Sequence, residues 1–434
     1  MQPKIIVLDD DPTGSQTVHG SLLLTRWDVE TLKQGLYDAS PLMFVLTNTR
    51  GMGAAEASQV TRETCHNLKL AMEGFGRPAL FVSRSDSTLR GHYPVETDVM
   101  AEELGPFDAH FLVPAFFEGG RFTVDSIHYL KVSGQPVPVH ETEFARDSVF
   151  GYRHSYLPDY VEEKTRGRIK ADQVVRFTLN DIRAGSLDRL MALAGNACCV
   201  VDAEIQADLD RFADDLEQAA SQGKRFLFRS AASLLTALAK LPPQPVAAED
   251  MHRYVKNNRP GVVVVGSHVK KTTDQLQVLL QQEGIAAVEV DVSRMPEESP
   301  ALLQEVLAKV AQAHQNGLTP VVFTSRVERQ FPDQAARLAF GEHVSGFLMD
   351  VVHGLPATIG FIISKGGITS NDMLSKGLAL PTTRLAGQIL AGCSVVLTPA
   401  DHAFPEIPVV IFPGNVGDEK ALAEVYHRLR GTKE

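Results

Sequence analysis

ALFVSRSDSTLRGHYPVET, residues 79–97, carries the pattern that decides the fold. The apolar run 79–82 reads as a strand. It passes into a loop of hydroxyls and charges, and apolar residues then return at three- and four-residue steps over 94–104, the spacing of one helix face. Between Ser83 and Gly91 there are four hydroxyl side chains, two arginines and one aspartate. A loop so rich in donors at a strand end suits a small, oxygen-rich anion, because the planar arginine fork gives a carboxylate or phosphate two parallel hydrogen bonds.

The same unit recurs on either side. Residues 4–8, 42–47, 79–83, 110–113, 198–202 and 226–229 read as strands, and 54–72, 94–104 and 208–222 as helices. Residues 122–168 are punctuated by glycine, proline and charge and read as an excursion, with a hairpin near 125–132. Three prolines, Pro242, Pro243 and Pro245, mark a boundary, since proline continues neither a helix nor a ladder. A new series of strands follows at 261–267, 286–291, 320–325, 358–364, 394–398 and 408–412, with helices at 301–315 and 332–352. Strands alternating with helices argue for an α/β protein of two domains with mostly parallel sheets. The expected division is 1–240, a linker at 241–260, and 261–434.

A chain of 434 residues suits two domains, and 44% hydrophobic with 22% charged residues is an ordinary globular composition. The net charge of −11 argues against nucleic acid as a partner, which needs a basic face. No apolar run has the length of a membrane span, and the opening residues do not read as a signal peptide. Four cysteines lack CxxC spacing, and Cys198 and Cys199 share an apolar run, which fits small core residues in a reducing cytoplasm.

LDDDPTGSQT (8–17) places three aspartates at a strand's carboxyl end, where open α/β sheets bind ligands. Adjacent like charges must be solvated or neutralised. One of them suits proton abstraction from a hydroxyl and another suits Mg²⁺. VPAFFEGGRFTVDS (113–126) aims Arg121 from behind a glycine pair, an arrangement that also makes a hairpin turn. In the second half Gly266–Ser267, Gly366–Gly367 and Gly414–Asn415 each join a strand to a helix, and three such junctions together suit a nucleotide-phosphate cradle. His268 stands where a Walker lysine would be, and the GxGxxG, HExxH and GxSxG motifs are absent.

Taken in order, DDPTG (10–14), SDSTLRG (85–91), GRFTVDSIHY (120–129), VDA (201–203), VGS (265–267), GGIT (366–369) and GNVG (414–417) resemble the motifs of the four-carbon acid sugar kinases nearly end to end. The resemblance implies that the first domain holds the acid sugar, the second holds ATP, and the chemistry occurs in the cleft between them. It implies a kinase acting on threonate, erythronate or 3-oxo-tetronate, with Asp10 or Asp11 as base. Thr13, Asp86, Ser87, Thr88, Arg90 and Arg121 would bind the acid, with Arg90 as the carboxylate anchor. Ser267, Gly366, Gly367, Thr369, Gly392, Cys393, Ser394, Gly414 and Asn415 would bind the nucleotide. Mg²⁺ would come with ATP or sit at Asp10 or Asp11, and a homodimer is compatible with the pattern. The chain departs from the family at Asp9, Arg84, Ile368 and Phe412–Pro413. A non-catalytic sugar-acid sensor of two α/β domains is the alternative, separated from a kinase by ATP turnover.

Overall fold

Apolar runs without polar alternation are buried on both faces, which is the condition of a parallel sheet covered by helices. The computed structural model of the chain describes residues 3–326 and 331–432 and bears this out. It divides into two units, Met1–Pro242 and Pro243–Glu434. In the first unit the strands are β1 (Lys4–Asp9), β2 (Leu22–Leu24), β3 (Leu42–Leu46), β4 (Ala79–Arg84), β5 (Ala109–Val113), β6 (Arg121–Val124), β7 (Ile127–Val132), β8 (Gln135–Pro138), β9 (Val175–Phe177), β10 (Ala197–Val201) and β11 (Phe226–Ser230). In the second they are β12 (Val262–Val265), β13 (Ile285–Val290), β14 (Thr319–Thr324), β15 (Ile362–Lys365), β16 (Thr382–Leu390), β17 (Cys393–Leu397) and β18 (Pro408–Phe412).

The first unit's main sheet runs β2-β3-β1-β4-β11-β5-β10-β9, with every neighbouring pair parallel. β1, β3 and β11 are buried along their whole length. The helix Gln206–Ser221 lays Leu209, Phe212, Ala213, Leu216 and Ala219 on the sheet, the face its three- and four-residue spacing marks. Around Phe111 the rings of Phe177, Phe212, Phe226 and Phe228 stand with centroids 5.4–5.8 Å apart. Each such pair adds about 0.5–1.5 kcal/mol beyond the area it buries. β1 lies between β3 and β4, so successive strands leave it on opposite sides. That topological switch opens a crevice at the carboxyl ends of β1 and β4, where Asp9–Asp11 and the 85–90 loop stand.

The excursion after β5 is a separate antiparallel sheet, β6-β7-β8. Its first turn, Asp125–Ser126, has positive φ at both residues, 52° and 63°, as a two-residue hairpin loop of matching twist requires. The Asp202 carboxylate at the end of β10 accepts the Ser126 N–H at 2.8 Å and fastens that turn to the main sheet.

In the second unit β13-β14-β12-β15-β18 is parallel, and β17 and then β16 continue the sheet antiparallel. The stretch read as a linker is largely part of this unit. From Pro243 the chain folds onto it, with Met251 and Val255 in its core. Among the described residues no helix is long and apolar enough to cross a membrane. All four cysteines are buried and free.

Candidate active site

At the carboxyl edge of the first sheet a charged network joins four strand ends and a helix. Arg50, in the turn after β3, donates Nη2 to Asp10 Oδ1 at 2.5 Å and Nε to Asp10 Oδ2 at 3.2 Å. Asp10 Oδ2 also accepts the Ser85 hydroxyl at 2.6 Å. From β11, Arg229 donates Nη2 to Ser85 Oγ at 2.6 Å, and Nη1 to Glu96 Oε2 at 2.6 Å and Ser83 Oγ at 2.7 Å. Glu96, in the first turn of the helix Val95–Leu104, takes its other hydrogen bond from the Thr49 hydroxyl at 2.6 Å. Burial alone would raise the Asp10 carboxyl, but the charge and hydrogen bonds of Arg50, helped by Arg229 and Ser85, hold it below the usual carboxylate range. Gly91 has φ +118°, and a Cβ there would lie 2.5 Å from Ser85 Oγ and 2.6 Å from Arg229 Nη2. Only glycine lets the loop close over this network.

The three aspartates occupy three different environments. Asp9 is fully buried, its Oδ2 has no hydrogen-bond partner among the described residues, and burial pushes its carboxyl well above the usual range against the pull of Arg84. Asp10 is buried and ion-paired. The side chain of Asp11 stays 21% exposed, the only one of the three open to solvent. Its Oδ1 accepts the Thr13 N–H at 2.8 Å and the Thr13 hydroxyl, and its Oδ2 stands 3.4 Å from Arg50 Nη1.

The 86–90 loop is held from several sides. Asp86 Oδ2 accepts Arg90 Nε at 2.7 Å and the Thr88 hydroxyl. Burial works against the Asp86 charge, yet Arg90 and Arg50 hold its carboxyl far below the ordinary range. The Tyr152 and Tyr160 hydroxyls donate to Thr88 O at 2.7 Å and Leu89 O at 2.9 Å, fixing Leu89 in a left-handed conformation of φ +66°. His128 Nε2, 2.8 Å from Ser87 O, ties the loop to the β6–β7 hairpin. Arg90 is therefore already engaged. Besides Asp86, Asp147 lies 3.7 Å from its Nη1, and its guanidinium sits 4.9 Å above the Phe144 ring.

Arg121 differs. Its Nη1 donates to Gly119 O at 2.5 Å, its Nε is buried without a partner among the described residues, and burial lowers its pKa. Asp86 and Arg90 lie close enough to act on its charge. The sequence singled out both arginines with Arg90 as the anchor, but not the Asp86 pair that engages Arg90. It also missed Arg50, Arg229 and Glu96, whose only signal was their place at strand ends or in the first turn of a helix.

In the second unit the three glycine junctions meet at the carboxyl ends of β12, β15 and β18. The Thr272 hydroxyl donates to Ser267 Oγ at 3.1 Å and to Gly414 O at 3.0 Å. Gly366 packs so closely that a Cβ would lie 3.0 Å from Ser267 Cβ. The Thr369 side chain is buried, Gly367 half-buried and Asn415 exposed. β17 runs antiparallel to β18, which brings Gly392, Cys393 and Ser394 beside Phe412 and the Gly414 junction. The Cys393 thiol points into the apolar core and Ser394 is buried, so their side chains do not line the cradle. Arg326, unread in the sequence, donates Nη1 to Ser267 O at 2.5 Å. No group of three or more metal-type side chains converges among the described residues. Asp10, already paired with Arg50, does not fit as a ligand for Mg²⁺.

The chain matches the model of a sugar-binding N-terminal domain over residues 5–238 and that of a nucleotide-binding C-terminal domain over 262–422. A D-erythronate kinase of Heliobacterium modesticaldum is 30% identical over 222 residues, 48% of this chain and 47% of that relative, so the chain spans about half its length. A D-threonate kinase of Bordetella bronchiseptica is 24% identical over 440 residues, 99% of this chain and 98% of that one. Two solved structures share the fold. One is a Haemophilus influenzae protein of the DUF1537 family, with TM-score 0.66 and 17% identity over 98% of this chain and 100% of that one. The other is a Salmonella typhimurium LT2 protein provisionally described as a tRNA synthase, with TM-score 0.71 and 18% identity over 98% of both. Two domain models in this order on one chain, with both kinases as relatives, establish that the protein belongs to the four-carbon acid sugar kinase family.

Proposed function

We propose that this protein transfers the γ-phosphoryl group of Mg–ATP to the terminal O4 of a four-carbon sugar acid such as threonate, erythronate or 3-oxo-tetronate. The observation that carries the reading is Arg121, a guanidinium at the loop cluster with no ion pair among the described residues and its Nε buried without a partner there. A partly desolvated cation with only a carbonyl and a ring face beside it is costly, and a substrate carboxylate supplies the missing charge with two parallel hydrogen bonds.

Asp11 takes the acceptor hydroxyl's proton on Oδ2, the oxygen that Thr13 leaves open, as O4 forms its bond to phosphorus and the bond to ADP breaks. Asp10 orients Arg50 and touches no reacting atom. Asp86, Ser87, Thr88 and Arg90 shape the loop that receives the sugar hydroxyls. The backbone N–H groups at Ser267, Gly367, Thr369, Gly414 and Asn415 cradle the phosphates, with Gly366, whose own N–H is held by Phe412 O at 2.8 Å, making the tight turn between them. Mg²⁺, carried on the nucleotide, would supply charge neutralisation of the phosphates when bound.

A coupled ADP-release assay of the purified protein against four- to six-carbon sugar acids, with the neutral sugar alcohols as controls, tests the reading. ADP release is expected only with Mg²⁺, ATP and a short acid together. Calorimetric binding of an acid with no acid-dependent ADP would favour a sensor instead.

A further inference from the structure

Lys365 ends β15 fully buried, and no carboxylate lies within ion-pair distance of it among the described residues. Its Nζ donates to Pro413 O at 2.6 Å and contacts Gly414 O at 3.4 Å. The ammonium also lies 4.0 Å from the ring of Phe412, the residue opposite it in the β15–β18 register. Its other register partner, Val265 on β12, is apolar. Lys365 immediately precedes the Gly366 junction and holds the Gly414 junction through its carbonyls. Thr272 ties the latter to Ser267. One lysine amino group thus braces the cradle at its centre.

Packing does not require a charge there. A methionine would fill the same space, whereas a buried ammonium costs several kcal/mol unless it is compensated. Two carbonyls and a ring face contribute only partial negative charge. A polyphosphate seated on the junctions that Lys365 braces would supply the rest.

We propose that Lys365 is the positioning residue of the nucleotide cradle, and that it obtains its counter-charge from the bound polyphosphate, so that nucleotide binding takes up a proton at Nζ. The inference rests on the nucleotide reading of the second unit. Burial lowers the lysine to about 7; of the groups acting on it, Cys393 opposes and Lys271 adds to the shift. Burial also pushes the Cys393 thiol up, which keeps it neutral. With its pKa lowered towards neutrality, the amine of the empty cradle is partly unprotonated near pH 7.5, and phosphate charge raises its pKa and draws in the proton.

The test is calorimetric titration of MgADP into the whole protein at pH 7.5, in buffers of different ionisation enthalpy. Wild type is expected to take up roughly half a proton or more. Lys365→Met should lose the linkage and bind MgADP roughly tenfold or more weakly. Lys365→Arg, permanently charged, should bind with no linked proton, and it carries the test should the methionine variant not fold. Proton uptake in either variant equal to wild type, or MgADP binding by wild type without uptake, overturns this inference while leaving the nucleotide site standing. Failure of wild type to bind MgADP overturns both.

Discussion

Arg50 holds both carboxylate oxygens of Asp10 across two neighbouring strand ends, with Nη2 2.5 Å from Oδ1 and Nε 3.2 Å from Oδ2. Asp10 is buried and Arg50 largely so, and without the Asp10 charge the guanidinium loses its bidentate partner and keeps only the looser 3.4 Å approach of Asp11. Asp10→Asn is expected to cost about 3–5 kcal/mol of stability, read as a lower denaturant midpoint. The sequence required only that three adjacent aspartates be solvated or neutralised, and for Asp10 the structure shows burial with neutralisation by Arg50. The lowered pKa of Asp10 sets the sign with pH. Its contribution is complete above the unfolded carboxylate pKa and is lost as pH falls towards the folded one.

Asp11→Asn should behave in the opposite manner. Its side chain is partly exposed and its hydrogen bonds are local, so the denaturant midpoint should move little. Loss of the base should cut kcat by about 10²–10⁴-fold. A variant that keeps wild-type kcat would place the base elsewhere.

Arg121 and Arg90 should separate by discrimination rather than by activity alone. Arg121→Ala should lose about 2–5 kcal/mol of transition-state binding for the acid and most of the preference over the neutral alcohol, with nucleotide affinity unchanged. Arg121→Lys keeps the charge but not the fork, and should recover only part of that preference. In Arg90→Ala, the loss of the Asp86 pair should loosen the 86–90 loop and lower activity toward acid and alcohol alike. If Arg121→Ala still prefers the acid by the wild-type factor, the carboxylate is read elsewhere.

The general layout was legible in the sequence because local signals encode it: buried β-branched runs, helical periods, hydroxyl- and aspartate-rich strand ends, and glycine at three junctions. Which strands lie side by side is not a local property. Arg50 becomes a partner of Asp10 only because β3 lies beside β1, and Arg229 reaches Ser85 only because β11 inserts between β4 and β5. β16 escaped notice because Gly387 and a shifted register with β17 break the alternation that marks a strand. β2 and β9, three residues each, are too short to show a period. The family resemblance pointed to Arg90 as the carboxylate anchor, and its ion pair with Asp86, invisible in the sequence, is what moves the proposed anchor to Arg121.

His128 links the Arg121 hairpin to the 86–90 loop and is buried, with its pKa lowered by that burial to about 4. Its unfolded value is about 6.5. Between those two pH values the unfolded chain binds a proton that the native chain refuses, so stability falls on acidification, by up to about 3 kcal/mol in total. Denaturant unfolding at pH 7.5 and pH 5 should show wild type losing more stability than His128→Gln. An equal loss in the two proteins would mean that His128 does not titrate in this window. The variant should also raise KM for the acid more than it lowers kcat, since it loosens the placement of Arg121 without touching the base.

Gly366 tests the nucleotide cradle apart from the acid site. Its φ of +121° is one that side chains rarely adopt, and a Cβ there would lie 3.0 Å from Ser267 Cβ and 3.3 Å from the Ser267 backbone N. Gly366→Ala therefore strains the turn and pushes apart the two junctions whose N–H groups are proposed to face the phosphates. The strain is local, on the order of 1–3 kcal/mol, so the protein should still fold. MgADP affinity should drop by roughly tenfold or more, whereas binding of the sugar acid, which belongs to the other unit, should stay at its wild-type value. Calorimetry with each ligand separately checks both halves. Unchanged MgADP affinity would remove Gly366 from the phosphate cradle, and a parallel loss of acid binding would point to general unfolding rather than a local site.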